Sequence, residues 1–262
     1  MKIVVCIKQV PDTTDVKIDE ETNTLIREGV KSIINPFDMY ALEEGLRLKE
    51  EYGGSVTVIS MGPPQVAESL KEAVSYGVDD VILVSDRAFA GADTLATSYT
   101  LAKTIEKIGD VDLIICGKQA IDGDTAQVGP EIAETMGITH TTYVKEIEEV
   151  KDEVIKSKRM IEGGYEVIEM DMPSLITVVK EINEPRMPSI RGILRSRKME
   201  VPVWNVKDLD IEGDENIGLD GSPTQVVSVD TPKFDTEAQI FEGTSQEQVT
   251  KLFAAMRERK II

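Results

Sequence analysis

The stretch VDLIICGKQAIDGDTAQVGP (residues 111–130) runs from an apolar segment, through a loop rich in Gly and Asp, to a proline that can open a helix. An apolar run without polar alternation marks a strand covered on both faces, and strands of that kind belong to parallel sheets. Three earlier runs share this character: KIVVCIK (2–8), SVTVIS (55–60) and DVILVS (80–85). Amphipathic stretches with helix punctuation lie between them. Asn35 can cap a helix that has Pro36 in its first position, a stripe of Met39, Leu42 and Leu46, and a stop at Gly53–Gly54. A second helix opens at Pro63 or Pro64 and ends at Gly77. A third is capped by Asp93 and turns Leu95, Ala102, Ile105 and Ile108 to the core, and a fourth runs from Pro130 to Gly137. Strand and helix in alternation predict an α/β fold built on a doubly wound, mostly parallel sheet. VKIDEETNTLIREG (16–29) reads as a hairpin excursion after the first strand.

From about residue 138 the pattern changes. Polar and apolar residues alternate over 141–179 around a Gly163–Gly164 turn, which predicts an antiparallel extension of the sheet. A proline-marked segment, 183–198, carries Arg186, Arg191, Arg195, Arg197 and Lys198. From residue 206 the chain is acidic and poor in core periodicity until a helix near 245–260. The expected organisation is an α/β domain over 1–205 and a C-terminal arm over 206–262 that wraps something else.

Bulk properties exclude several functions. A net charge of −19 argues against nucleic acid or an anionic membrane as the main partner. Cys6 and Cys116 are the only cysteines, each inside an apolar run, which leaves no disulfide framework or cysteine-ligated metal and fits a reducing compartment. No apolar run approaches the roughly 20 residues of a membrane span. MKIVVCIKQ enters a strand-like run at once, so no signal peptide and a cytoplasmic location are expected.

Open parallel sheets bind ligands outside the carboxyl ends of their strands. Here the loops leaving those ends are CIKQVPDTTD (6–15), MGPPQ (61–65), SDRAFAGADT (85–94) and GKQAIDGDTAQVGP (117–130). They lack the usual phosphate fingerprints. No G-x-G-x-x-G follows the first strand, Gln119 stands where a P-loop needs Ser or Thr, and Asp112 replaces its upstream glycine. The one histidine, His140, lies outside these loops, so histidine-dependent catalysis is not expected, and no carboxylates pair with His or Cys at metal-ligand spacing. Thr125, Gln127 and Gly129 stand at a helix entry, where free N–H groups favour an anion. Asp122 and Asp124 would repel it unless they accept from sugar hydroxyls or from their own turn. An adenosine-type ligand, with ribose and phosphate together, suits both features.

Taken together, VVCIKQVPD, INPFDMYALEE, MGPP, GKQAIDGDTAQVGP, EGGYEVIEMDMPSLITV and NEPRMPSIRG resemble the β (small) subunit family of electron-transfer flavoproteins, in order and over essentially the whole chain. The stretch Arg159 to Thr177 is similar to the family's signature, with Ser157 departing from the small or aliphatic residue expected before it. The resemblance implies a Rossmann-like, adenine-nucleotide-binding domain that works only as a heterodimer with a larger, FAD-carrying α subunit, wrapped by the C-terminal arm. In the respiratory branch the small subunit buries a structural AMP. The positions matching that site are Cys6, Asn35 to Asp38, Met61 and Asp122 through Ala133. With their neighbours they give a candidate set of Cys6, Ile7, Lys8, Asn35, Phe37, Asp38, Ala41, Met61, Gly62, Gly117, Lys118, Gln119, Asp122, Gly123, Asp124, Thr125, Ala126, Gln127, Val128 and Gly129.

A second branch holds FAD in place of AMP, takes a hydride from NADH and divides the electron pair between two acceptors. KQVPDTTDVKID (8–19) and SDRAFAGADTLATS (85–98) look like that branch's versions of these segments. By that resemblance Asp93, Thr94 and Thr97 contact the second flavin, with Gly91, Ala92 and Ala96 leaving room for a flat ring. The protein would then supply no acid or base, and would have oxidoreductase activity only within a complex: one electron to the α-subunit FAD and a dehydrogenase of acyl-CoA or 2-hydroxyacid type, the other to ferredoxin or flavodoxin. Segment 183–198 lies where the family anchors its dehydrogenase. Met187, Ile190, Ile193 and Leu194 would form the apolar anchor, with Arg186, Arg191 and Arg195 around it. A universal-stress-type nucleotide binder shares these features without an α partner, whereas an ATP pyrophosphatase needs a Ser-Gly-Gly loop where KQVPDTTD stands.

Overall fold

The four apolar runs become neighbouring strands in a computed structural model, which describes residues 1–12, 18–19, 24–25, 32–211, 213, 215–227 and 238–262. The chain forms two units, Met1–Val227 and Ser228–Ile262. The first unit begins β1 (Lys2–Cys6), β2 (Gln9–Pro11), β3 (Ile18–Asp19), β4 (Thr24–Leu25), β5 (Ser32–Ile34), α1 (Pro36–Tyr52), β6 (Ser55–Met61) and α2 (Ala67–Tyr76). It continues through β7 (Asp80–Val84), α3 (Thr94–Ile108), β8 (Leu113–Gly117), α4 (Val128–Met136), β9 (Thr139–Lys151), β10 (Val154–Ile161), β11 (Gly164–Asp171), β12 (Ser174–Val178), α5 (Ile190–Ser196) and β13 (Val203–Trp204). The second unit contains α6 (Ser245–Glu258), every residue of which is exposed or half-buried.

Nine strands make one sheet in the order β11-β10-β9-β12-β8-β1-β6-β7-β13. It is parallel from β9 to β13, while β9, β10 and β11 pair antiparallel, as the alternating pattern predicted; β12, expected in the same antiparallel extension, is instead a fully buried parallel strand between β8 and β9. The two-residue period of β1 assigns its layers. Ile3 and Val5 pack with Leu42, Leu46, Leu70 and Val74 of α1 and α2, whereas Val4 and Cys6 pack with Leu101, Ile105, Ile132 and Ala133 of α3 and α4. Helices therefore cover both faces, and the doubly wound α/β reading holds. β3 and β4 pair antiparallel, as do β2 and β5, where the excursion was expected; residues 13–17, 20–23 and 26–31 lie outside the described residues.

Three local readings change. Asn35 makes no side-chain capping bond, because its amide is used elsewhere. α4 begins at Val128, so Pro130 sits inside its first turn, where a missing N–H costs no helical bond. Leu95, expected to face the core, is exposed at the start of α3. The first unit also extends past residue 205: Leu209, Ile211 and Ile217 are buried with Val84 and Phe89. Among the described residues no helix is long and apolar enough to cross a membrane.

Candidate functional site

β1 and β8 are neighbours, yet the chain leaves β1 toward β6 and β7 and leaves β8 toward β12 on the opposite side. That divergence opens a crevice at their carboxyl ends, the usual ligand position in such sheets. Its floor is the registered pair Cys6 and Cys116, 8% and 6% exposed. The hydrogen bond with Cys6, and then burial, push the Cys116 thiol well above its ordinary value and keep it protonated and unreactive.

The start of α1 closes one wall. Buried Asn35 bridges to the β8 loop: its amide nitrogen donates to the Gln119 carbonyl at 2.8 Å, and its side-chain oxygen accepts from the Ile121 N–H at 3.1 Å. Asp38 accepts from the Lys8 N–H at 2.7 Å. Burial pushes the Asp38 carboxyl up to about 7, against the opposing bonds from Asn35, Lys8 and Gly117 and the charge of Lys8. Gly117 is needed for this approach, since a Cβ there would stand 2.3 Å from Asp38 Oδ1 and 2.6 Å from the Phe37 carbonyl carbon. Ala41 and Ile7 belong to the core beneath this wall, and Met61 and Gly62 lie at the carboxyl end of β6.

The loop from Gly117 to Gln127 is shaped by its own polar groups. Asp124 and Ala126 adopt φ of 55°. Asp124 accepts from the Gln119 amide and its N–H donates to the Ala120 carbonyl, so this aspartate shapes its own turn. Asp122 pairs with Lys8 at 2.7 Å. Both carboxylates thus have partners within the protein. Gly123 and Thr125 stand on the exposed side of this loop, and a Cβ on Gly123 would meet nothing within 4 Å. At the loop's end α4 starts without a side-chain cap on Gln127, which leaves the Val128 and Gly129 N–H groups without intrahelical partners. Gly129 sits tightly, for a Cβ would fall 2.6 Å from Thr177 Cγ2.

The β7–α3 loop joins this cluster, which the separate motifs did not show. The Thr94 hydroxyl lies 3.2 Å from both Gln127 Oε1 and Glu131 Oε1, and the Ser98 hydroxyl lies 3.0 Å from Glu131 Oε2. The N-termini of α3 and α4 are therefore tied side by side. They differ in what they offer. Asp93 Oδ1 already accepts from Leu95 and Ala96, and Oδ2 accepts from the Thr224 N–H and hydroxyl at 3.0 and 2.7 Å. Partial burial raises its carboxyl, but the bonds from Thr224, Ala96 and Leu95 outweigh that and hold it below the ordinary value. The Leu95 and Ala96 N–H groups at the start of α3 are consequently taken by Asp93, and the open helix end is that of α4. Thr97 is half-buried one turn into α3. Among the described residues no group of His, Cys, Asp or Glu side chains is arranged to hold a metal ion. A surface concavity lined by Glu68, Lys71, Glu72, Ser196 and Arg197 lies on the α2–α5 side, so concavity alone does not mark the crevice.

The arginine segment has a split character. Met187, Ile190 and Leu194 are 86%, 81% and 54% exposed and form a projecting apolar row, while Ile193 is half-buried. Arg186 is not a free cation: it is bound by Glu43 at 2.8 Å and by Glu50. Arg195 Nη1 donates to the Val78 carbonyl at 2.5 Å, and its other terminal nitrogen to Asp79. Exposed Arg191, Arg197 and Lys198 carry the outward charge of the cluster.

Sequence reasoning missed Thr177, Thr224 and Tyr143, all of which enter through tertiary contacts. The Tyr143 N–H donates to Thr177 Oγ1 at 3.2 Å, and its ring lies 5.4 Å from the Lys118 ammonium. No local motif signals such a role.

Residues 22–209 match the family model described as the electron transfer flavoprotein domain. The chain is 51% identical, over all of both sequences, to a Thermoanaerobacterium thermosaccharolyticum protein called electron transfer flavoprotein subunit beta. It is 47% identical, again over all of both, to the caffeyl-CoA reductase-Etf complex subunit CarD of Acetobacterium woodii. It is 49% identical to protein FixA of Azotobacter vinelandii, covering 89% of this chain and 85% of that one.

Proposed function

Because the chain belongs to the electron transfer flavoprotein family, on the β-subunit side, we propose that it pairs with an FAD-carrying α subunit and holds a FAD of its own at the β1–β8 crevice. In this reading that FAD receives hydride from NADH, and the pair's electrons divide between the α-subunit FAD with its dehydrogenase and a ferredoxin or flavodoxin. The observation that carries the reading is the joined pair of helix N-termini: α3 and α4 meet through Thr94, Gln127 and Glu131, beside a loop whose carboxylates already have protein partners. A nucleotide longer than AMP would extend from one helix end to the other. The similarity to a caffeyl-CoA reductase-Etf complex subunit supports a dehydrogenase of acyl-CoA type.

The residues fit a nucleotide. The uncapped start of α4 and the ammonium of Lys118 would face phosphate. Exposed Thr125 and Gln127 supply polar groups for the sugar. The apolar floor at Cys6 and Cys116 keeps water from below. Bound flavin supplies hydride acceptance and single-electron transfer. The chain itself binds, orients and shields, and no group here acts as a catalytic acid or base. The row Met187, Ile190 and Leu194 would seat in an apolar recess of the dehydrogenase.

One observation favours the alternative of a structural AMP and a single flavin in the heterodimer. Asp93 is fully engaged by α3 and Thr224, so its carboxylate has no free acceptor to offer a second flavin. Acid release and chromatography of nucleotides from the purified αβ heterodimer separates the two. Two FAD and no AMP is expected; one FAD with one AMP would overturn the flavin in this chain.

A further inference from the structure

Tyr143 is the anomaly at the rim of the crevice. It has φ of 60°, a left-handed conformation that a bulky aromatic residue adopts only at a cost. The strand around it is irregular as well: the register between β12 and β9 shifts between Ile176 and Val178, opposite this residue. Bulges of this kind turn one side chain out of the strand's alternation while its neighbours keep theirs. Here Val144 stays fully buried in the core, while Tyr143 is 38% exposed with its ring near Lys118.

Lys118 has an unusual setting for a cation in so acidic a chain. Its backbone is pinned at the end of β8, where its N–H donates to the Val178 carbonyl at 2.9 Å. Its ammonium lies 5.3 Å from the centre of the Phe37 ring and 5.4 Å from that of Tyr143, within cation–π range of both. Among the described residues it makes no ion pair, in contrast to Lys8, which Asp122 holds at 2.7 Å. Two π faces can localise an ammonium without neutralising it. Its N–H donors and its charge remain for something outside the protein.

The same tyrosine is keyed to the open helix end. Its N–H donates to Thr177 Oγ1 at 3.2 Å, and the methyl of Thr177 occupies the space that a Cβ on Gly129 would need, in the first turn of α4. One residue thus refers both the Lys118 ammonium and the α4 N-terminus to a common frame. We propose that Tyr143 is a positioning residue that, with Phe37, holds the Lys118 ammonium ready for the phosphate group of the bound nucleotide. The inference rests on the nucleotide reading of the crevice and adds to it the group that discriminates a phosphorylated ligand from a bare nucleoside.

Calorimetric titration of the full chain, freed of nucleotide, with AMP and with adenosine tests this. Tyr143→Gly removes the ring and suits the positive φ, so it should fold with an unchanged or higher melting temperature. It should lower the preference for AMP over adenosine about tenfold, the order expected for losing a held cation, with adenosine affinity unchanged. Tyr143→Phe should keep the preference within about twofold. Lys118→Met should lose as much as Tyr143→Gly, and combining the two should add nothing further. Equal losses for AMP and adenosine in Tyr143→Gly, or full additivity with Lys118→Met, would overturn the positioning role while leaving the nucleotide site intact. A wild-type chain that binds neither of these ligands nor FAD would overturn the nucleotide reading and this inference with it.

Discussion

Asp38→Asn tests the wall of the crevice through its titration. The carboxyl is 6% exposed, and burial lifts its pKa from 3.8 to about 7, the bonds from Asn35, Lys8 and Gly117 opposing. Between those two values the native protein holds a proton that the unfolded chain releases, so stability falls as pH rises through the window and levels off above it. A shift of this size corresponds to roughly 4 kcal/mol across the whole window, and to roughly 2.5 kcal/mol between pH 5 and pH 8. The substituted amide cannot titrate, but it must present a donor where one carboxylate oxygen accepted, at a cost of about 1 kcal/mol. The variant should therefore be close to the wild type near pH 5, more stable by about 0.5 kcal/mol, and about 3 kcal/mol more stable near pH 8. Urea unfolding of the ligand-free chain at both pH values measures this, and the difference between the two proteins isolates Asp38 from every other titrating group. Parallel stability profiles would refute the reasoning, because they would mean that Asp38 ionises alike in the folded and unfolded chain.

Two further changes probe the packing of the site and the direction of the arginine segment. Gly117→Ala places a Cβ 2.3 Å from Asp38 Oδ1 and 2.8 Å from its N–H nitrogen, so the α1 terminus must shift. A loss of about 2 kcal/mol or more in unfolding free energy is expected, with nucleotide binding weakened as well, and an unperturbed melting curve would contradict the packing. Arg191→Glu should leave stability within about 0.5 kcal/mol while weakening electron delivery to the partner dehydrogenase. Arg195→Glu should destabilise the fold by about 1–3 kcal/mol, because Arg195 caps the carbonyls of Val78 and Asp79. Equal stability of those two variants, followed by thermal melts, would remove the distinction.

The centre of the sheet was legible because β1, β6, β7 and β8 are buried on both faces and so carry unbroken apolar runs, while helix ends carry their own punctuation. Gly53, Gly77, Gly109 and Gly137 do stop four helices with positive φ. The crevice was legible for a related reason: loops at carboxyl strand ends concentrate Gly, Asp and Thr. Three things could not be read locally. Asn35 has the identity and position of a helix cap, yet its partners, Gln119 and Ile121, are more than eighty residues away, and tertiary bonds won. Arg186 and Arg195 look like members of an exposed basic patch, but Glu43, Glu50 and two carbonyls take up their donors. Tyr143 sits in a stretch whose alternation reads as ordinary strand. Its departure comes from a register shift that only pairing with β12 defines.

α1 joins the crevice and the exposed arginine segment mechanically. Its first turn supplies Asn35, Phe37 and Asp38 to the crevice. Its later turns hold the chain that leads to the projecting row: Glu44 accepts from Asn183 at 2.9 Å, Glu43 and Glu50 hold Arg186, and Glu43 and Glu44 are only 6% and 5% exposed. Burial pushes the Glu44 carboxyl up, and the Asn183 amide opposes that shift, so an unpaired carboxylate there would be costly. From Asp38 to Glu50 the helix rises about 18 Å. A dehydrogenase seated on Met187, Ile190 and Leu194, as proposed, would thereby be referred to the crevice through one helix rather than through a loop. Electron transfer between sites depends steeply on their separation, and a buried acidic ladder on a helix is a way to keep one end of that separation constant while the rest of an assembly moves.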